Sequence, residues 1–359
     1  MGSLVLYYVS FAISAISAEK LQNRIKNKLL YYMIVLFVPV FIATTRVDIG
    51  TDYMSYYWYY QQVSEGNVYT SMEFLYKALN YVAHWVFGCY EGVLFLSAAL
   101  TYSFVLAGLR RIRSDASVGI GMWVFYCFYF SSSLNVMRQL IALSIVFYAL
   151  ILLNEGKMKK SIIFMVIATL FHTTSLIAFV FIFVKLLSKS KDCLKKFAIV
   201  VAVCSMSVIV GGGYIIRILA GVLPEKYKEY FLSTKTGIIS LGFLIDIIPT
   251  FLIVIIPVIF YVLYCRHDKT YRFLCNVGMM SLPILLIGYY VSYFGRIVLY
   301  FDIAQIALVG VGIKKASTAS SKLLYTVFIV LFYGFYFWYS AMFRGSNEII
   351  PYMSSWFGT

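Results

Sequence analysis

The chain has 359 residues, is 62% hydrophobic and only 13% charged, and has a mean hydropathy of +0.85. This excludes a soluble globular protein, whose composition lies near half apolar and a quarter charged. The net charge of +15 does not point to nucleic acid, because the charges sit in short clusters between apolar runs, as in cytoplasmic loops of a membrane protein. The cysteines are scattered without a CxxC pair and the three histidines lie far apart, which argues against a disulfide framework and a structural metal site.

Repeated apolar runs of about 17 to 22 residues predict an all-α, polytopic helical bundle with about 12 transmembrane helices, within a range of 11 to 14. In chain order the spans fall near 4–18, 29–45, 91–109, 117–133, 137–153, 161–172, 174–188, 197–213, 242–264, 273–293, 297–313 and 322–343. The first run has the apolarity of a signal peptide, but more membrane follows it in place of a cleavage site, so it is read as a retained helix. The chain is expected to be a single transmembrane domain over 1–359 with no internal repeat.

The basic clusters set the orientation. Lys20 to Lys28, Arg110 to Arg113, Lys157 to Lys160, Lys185 to Lys196, Arg266 to Arg272 and Lys314 to Lys322 fall on one side, which is therefore cytoplasmic, with both termini outside. Two choices support that alternation. Met72–Phe87 is read as a re-entrant or surface helix, because a full crossing would put Arg110 to Arg113 outside. Ser161–Leu187 is read as two short helices with His172 at an outer tip. The longest outer segments are 46–90 and 214–241, the second carrying an amphipathic stretch from Pro224 to Tyr230 expected to lie at the interface.

This arrangement collects isolated polar residues on the outer face. Arg46, Asp48 and Asp52 open the first loop, followed by an aromatic run that includes Tyr53 and Tyr56. Asn135, Arg138 and Gln139 lie at the next turn, His172 at the tip after it, and Arg296 with Tyr300 and Asp302 further along. An arginine at a helix end is commonly a snorkelling anchor, and interfacial tyrosines commonly form a belt. Three arginines on one face also suit a diphosphate, gripped by paired charge-assisted hydrogen bonds. Asp48 or Asp52 has the chemistry of a base for a sugar hydroxyl, and His172 would need a neighbouring group within hydrogen-bond reach to act as one. The tyrosines would then stack on sugar faces.

These residues carry a family resemblance. Arg46-Val-Asp48-Ile-Gly50-Thr51-Asp52-Tyr53, Asn135-Val-Met-Arg138-Gln139 and Phe171-His172-Thr-Thr-Ser175, with Glu73-Phe-Leu-Tyr, Arg296 before Tyr300 and the late Pro351-Tyr352, resemble the EpsG family of Wzy-like polysaccharide polymerases. Phe74 stands where that family has Pro, and the order Thr51-Asp52 reverses its usual Asp-Thr. The resemblance implies an architecture similar to integral-membrane, lipid-phosphate-dependent glycosyltransferases, and an O-antigen or exopolysaccharide polymerase in a bacterial cytoplasmic membrane. It implies transfer of glycan from undecaprenyl diphosphate to the non-reducing end of another lipid-linked unit, with no cofactor and no metal. The expected partners are undecaprenyl-diphosphate-linked oligosaccharides, membrane lipids, a chain-length regulator and a flippase. Within that scheme Asp48, Asp52 and His172 are the catalytic candidates, and Arg46, Arg138 and Arg296 the diphosphate-binding ones. Glu73, Asn135, Gln139, Tyr53, Tyr56 and Tyr300 are the substrate-binding candidates. A lipid-linked oligosaccharide flippase is the competing reading, with an O-antigen ligase beside it. A flippase predicts mid-span charges and related halves, and the chain shows few of the former and no evident repeat.

Overall fold

Lipid offers the backbone no hydrogen-bond partners, so each apolar run must satisfy its own amides and carbonyls, which a helix does. The computed structural model describes residues 2–23, 28–67, 72–189, 193–222, 239–264, 269–291 and 294–355, and these residues contain no β-strand. Its helices are α1 (Gly2–Asn23), α2 (Lys28–Thr45), α3 (Tyr53–Ser64), α4 (Phe74–Phe87), α5 (Glu91–Arg111), α6 (Val118–Asn135), α7 (Met137–Asn154) and α8 (Met158–Phe171). After a 3-10 stretch, Thr173–Phe179, come α9 (Val180–Leu187), α10 (Cys193–Val222), α11 (Leu241–Asp246), α12 (Ile248–Tyr264), α13 (Lys269–Met279), α14 (Ser281–Ile287), α15 (Phe294–Asp302), α16 (Ala304–Lys315) and α17 (Ala319–Trp338).

Six of the described helical stretches are long and apolar enough to cross a membrane: Gly2–Leu21, Glu91–Arg111, Met137–Asn154, Cys193–Tyr214, Phe294–Lys315 and Ala319–Phe343. Four shorter apolar ones, Leu29–Thr45, Thr173–Leu187, Ile248–Leu263 and Tyr271–Ile287, accompany them. Among the described residues this gives six long and four shorter apolar stretches, beside the expected count of about 12 spans. The break expected at His172 is present: the residue is extended (φ −158°, ψ 121°) and ends α8. Met72–Phe87 yields α4, whose 14 residues are too few for a crossing at 1.5 Å per residue. The stretch Pro224 to Tyr230 lies outside the described residues.

The chain divides into two compact units, one formed by 1–176 with 309–359 and the other by 177–308. In the first, α7 is the axis. Between Arg138 and Asn154 it has no charged residue, so it is apolar all round and suited to burial; 89% of its span is inside the protein. It packs against α5, α6 and α8, while α6 also receives α1 and α17. Hydrocarbon is as apolar as a leucine side chain, so shape and hydrogen bonding hold these helices together more than dehydration does. On α1 one face (Val5, Val9, Ile13, Ile16) is exposed and the opposite face (Tyr7, Phe11, Ala18) is buried. Phe11 stacks on Tyr126 with centroids 5.2 Å apart and meets Phe337 edge-on at 5.1 Å. Ser14 Oγ donates to the Val35 carbonyl at 2.6 Å, tying α1 to α2. Glu19 accepts from Ser117 Oγ and from the Gly119 amide, each at 2.8 Å, so a carboxylate sits at the positive end of α6.

Beyond α17 the chain turns back over the same unit. The amide of Val47 donates to the Met353 carbonyl at 3.1 Å, and that of Ser355 to Thr45 at 3.0 Å. Tyr7 Oη donates to Ile349 O at 2.9 Å, and the Tyr352 amide to Ser3 Oγ at 2.9 Å. The C-terminal segment is thereby laced to the end of α2, where the first polar loop begins.

In the second unit, α10 packs against α13 and α14, and α14 against α15. Val208, Ile239, Leu286, Tyr290 and Val291 form a buried cluster there.

Candidate functional site

The loop between α2 and α3 is built by one buried arginine and one glycine. Arg46 is 2% exposed. Its Nη1 donates to Ala43 O, and its Nη2 to Leu134 O at 2.8 Å, so it joins the C-terminal carbonyls of α2 to those of α6. Lone carbonyls at helix ends need such donors. The expectation that Arg46 presents its guanidinium to a ligand meets a side chain turned inward and engaged with backbone. Asp48 follows in the left-handed region at φ +50° and is exposed; Gly50 has φ +97°. A Cβ on Gly50 would stand 3.2 Å from Leu134 O, so both the conformation and the close approach call for glycine.

That approach brings the loop to Asn135. The Asn135 amide oxygen accepts from Thr51 Oγ1 at 2.9 Å and from the Asp52 amide at 2.7 Å, while its Nδ2 donates to Asn347 Oδ1 at 3.0 Å. Asn135 is buried, as is its neighbour Gln139. Asp52 stands at the N-cap of α3, but its carboxylate makes no capping bond.

One carboxylate organises the polar centre of this unit. Glu73 precedes α4 in an extended conformation. Its Oε2 accepts from Arg138 Nη1 at 2.6 Å, and its Oε1 meets His172 Nδ1 at 2.8 Å. Three segments about 65 and 34 residues apart in sequence, the ends of α4, α7 and α8, thus converge on a single group. Burial raises the affinity of Glu73 for a proton, but the hydrogen bond with His172 and the charge of Arg138 outweigh it, and the carboxyl is held down at about 2. It is ionised at neutral pH. In the tautomer whose Nδ1–H donates to it, Nε2 of His172 carries the lone pair. Among the described residues Nε2 has no hydrogen-bond partner.

Tyrosines surround the arginine. The Arg138 guanidinium lies 6.0 Å from the Tyr56 ring centroid, 5.9 Å from Tyr59 and 5.9 Å from Tyr76, within cation–π range. Its side chain keeps 23% exposure, so a ligand can reach it. Tyr53 stands half-buried against Tyr90 at 5.3 Å. Chemically this is an ion pair that can receive an anion, beside an oriented imidazole and ring faces suited to sugars.

Of the sequence candidates, Glu73, Arg138, His172 and Tyr56 are brought together here, and Asp52, Asn135 and Tyr53 form the adjoining loop. Arg296 and Tyr300 belong to the second unit on α15, Arg296 exposed and Tyr300 fully buried. Asp302, at the end of that helix, is 1% exposed and accepts from Gln305 Nε2 at 3.3 Å. Tyr59 belongs to the aromatic run and Tyr76 to the Glu73-Phe-Leu-Tyr motif read from the sequence, whereas Asn347 was not singled out. Tyr76 had a usable signal, standing three residues after Glu73, where one helical turn puts both at the same face; Asn347 had none.

Compared with known families, the chain matches the model described as the EpsG family, a Wzy-like polymerase family, over residues 29–354, nearly its whole length. No curated protein and no solved structure matches.

Proposed function

Since the chain belongs to the EpsG family, we propose that it is a polymerase of O-antigen or exopolysaccharide that works on the outer face of the bacterial cytoplasmic membrane. The growing glycan leaves undecaprenyl diphosphate and joins the non-reducing-end sugar of another lipid-linked repeat unit. The acceptor hydroxyl oxygen attacks the anomeric carbon of the donor, forming the new glycosidic bond. The bond from that carbon to the diphosphate oxygen breaks, and its electron pair leaves with the lipid diphosphate. His172 Nε2 takes the hydroxyl proton, and Glu73 holds the ring by Nδ1 and offsets the imidazolium charge. Arg138 faces the diphosphate with the guanidinium donors that Glu73 and Tyr56 leave. Tyr53 and Tyr59, part-exposed, offer faces to the sugars, while the buried Tyr56 and Tyr76 back the Arg138 guanidinium.

Other residues take supporting parts. Arg296, in the second unit, stays a diphosphate-binding candidate, and Arg46 acts at a distance by holding the loop of Asp48 and Asp52. Asp52, uncapped and half-buried, is the alternative base. Asn135 and Gln139 organise the turn before Arg138, and Tyr300 supports α15. No metal or cofactor is assigned a step.

The observation that carries this reading is the Glu73 carboxylate shared by Arg138 and His172 at 2.6 and 2.8 Å. A mere anchor needs no imidazole on its counter-ion. The test is the glycan ladder of cells carrying His172→Gln or Arg138→Ala. Long chains should vanish while a single repeat unit remains on the lipid. Normal chain length at normal expression rejects the assignment, and loss of every surface repeat favours a flippase or ligase instead.

A further inference from the structure

Asn347 lies 212 residues beyond Asn135. The structure holds it in the left-handed region at φ +61°, between Gly345 at +58° and Glu348 at +49°. Asparagine enters that region more easily than most residues, yet still at a cost. The bend aims its side chain into the first unit. Oδ1 accepts from Asn135 Nδ2 at 3.0 Å, and Nδ2 donates to Ser131 Oγ at 3.2 Å.

The other end of Asn135 is committed to the first polar loop, through Thr51 Oγ1 and the Asp52 amide. Asn135 therefore works only in one orientation, oxygen toward the loop and NH2 toward Asn347. An amide turned by half a rotation would point its NH2 at the Asp52 N–H, donor against donor. Asn347 is the acceptor that takes the Asn135 NH2 in the orientation the Asp52 N–H requires. Asp52 starts α3, and α3 carries Tyr56 and Tyr59 to the Arg138 guanidinium.

We propose that Asn347 is a positioning residue: the C-terminal segment holds the Asn135 amide in place through it, and so steadies the loop that places the α3 tyrosines over Arg138. The relay itself is a statement about structure. Its effect on turnover rests on the polymerase reading above.

Asn347→Gly separates the two roles of the residue, since glycine keeps the left-handed backbone and loses the amide. Hydrogen exchange on the full-length protein in nanodiscs is followed in the peptide spanning Gly50 to Tyr56. The expected result is exchange at the Asp52 amide at least tenfold faster in Asn347→Gly, with α7 unchanged. Asn135→Ala should show the same acceleration, and the double variant should add nothing further. Unchanged exchange at 50–56, or additive acceleration in the double variant, overturns the relay. If Asn347→Gly does not reach the membrane, Ser131→Ala removes only the outer anchor of Asn347, and unchanged exchange there overturns the relay equally.

Polymerisation of a purified lipid-linked repeat unit supplies the second readout. Asn347→Gly should lower kcat/KM at least tenfold, and Asn347→Asp, which keeps the acceptor, should recover most of it. Faster exchange with wild-type kcat/KM overturns the positioning role. Faster exchange in a protein whose wild type makes no polymer counts against the polymerase reading and leaves the relay standing.

Discussion

Replacing Glu73 by Gln preserves the shape of the side chain and removes its charge. Its amide oxygen then serves Arg138, and its NH2 faces His172 Nδ1, which accepts only if the ring moves its proton to Nε2 and so gives up the lone pair there. The size of the effect follows from the protonation behaviour of the carboxyl, held at about 2 against an ordinary value of 4.5. That difference corresponds to roughly 3 kcal/mol at most. The carboxylate is 12% exposed, so the expected loss in unfolding free energy is about 2 kcal/mol, below the value for breaking a fully buried pair.

The pH dependence has a definite sign. Because the folded value is depressed, the contribution is complete above about 4.5 and is lost as pH falls toward about 2. Wild type should therefore lose stability more steeply across that window than Glu73→Gln. In catalysis the variant leaves a developing imidazolium without its counter-ion, and kcat should fall on the order of 10² to 10³ with a smaller change in KM. The assays are thermal unfolding in detergent between pH 2 and 7 and a polymerisation ladder from purified lipid-linked units. Wild-type kcat together with superimposable acid profiles would refute the reasoning.

Two further substitutions separate scaffold from chemistry. Gly50→Ala places a Cβ 3.2 Å from Leu134 O at a φ of +97°, and should cost about 1 to 3 kcal/mol; an unchanged Tm would show that the loop has room. Arg46→Lys keeps the charge but cannot span the carbonyls of Ala43 and Leu134 that the guanidinium now joins. It should lose about 2 to 4 kcal/mol, visible as a lower melting point before any effect on substrate affinity. A variant with wild-type Tm and a raised KM would return Arg46 to the ligand.

The motif residues were legible in the sequence because polar groups are conspicuous against so apolar a background. Asn135, Arg138 and His172 stand out in that way, and the turn at His172 followed from placing Lys157 and Lys189 on the same side. The roles of the arginines were not legible. Arg46 and Arg138 have the same charge and comparable places at helix ends, yet one closes backbone carbonyls and the other pairs with Glu73. That difference depends on which distant segment arrives beside each, and a local pattern carries no information about it.

What the sequence determined by itself is the medium and the element: so apolar a chain with clustered cations must lie in lipid as helices, because lipid leaves the backbone no other partner. Only the tertiary structure decided that Glu73 receives both Arg138 and His172, and that Asn347 reaches Asn135 across 212 residues. Those meetings are set by the packing of helix ends, where directional hydrogen bonds a few ångströms long select one arrangement among many of equal hydropathy.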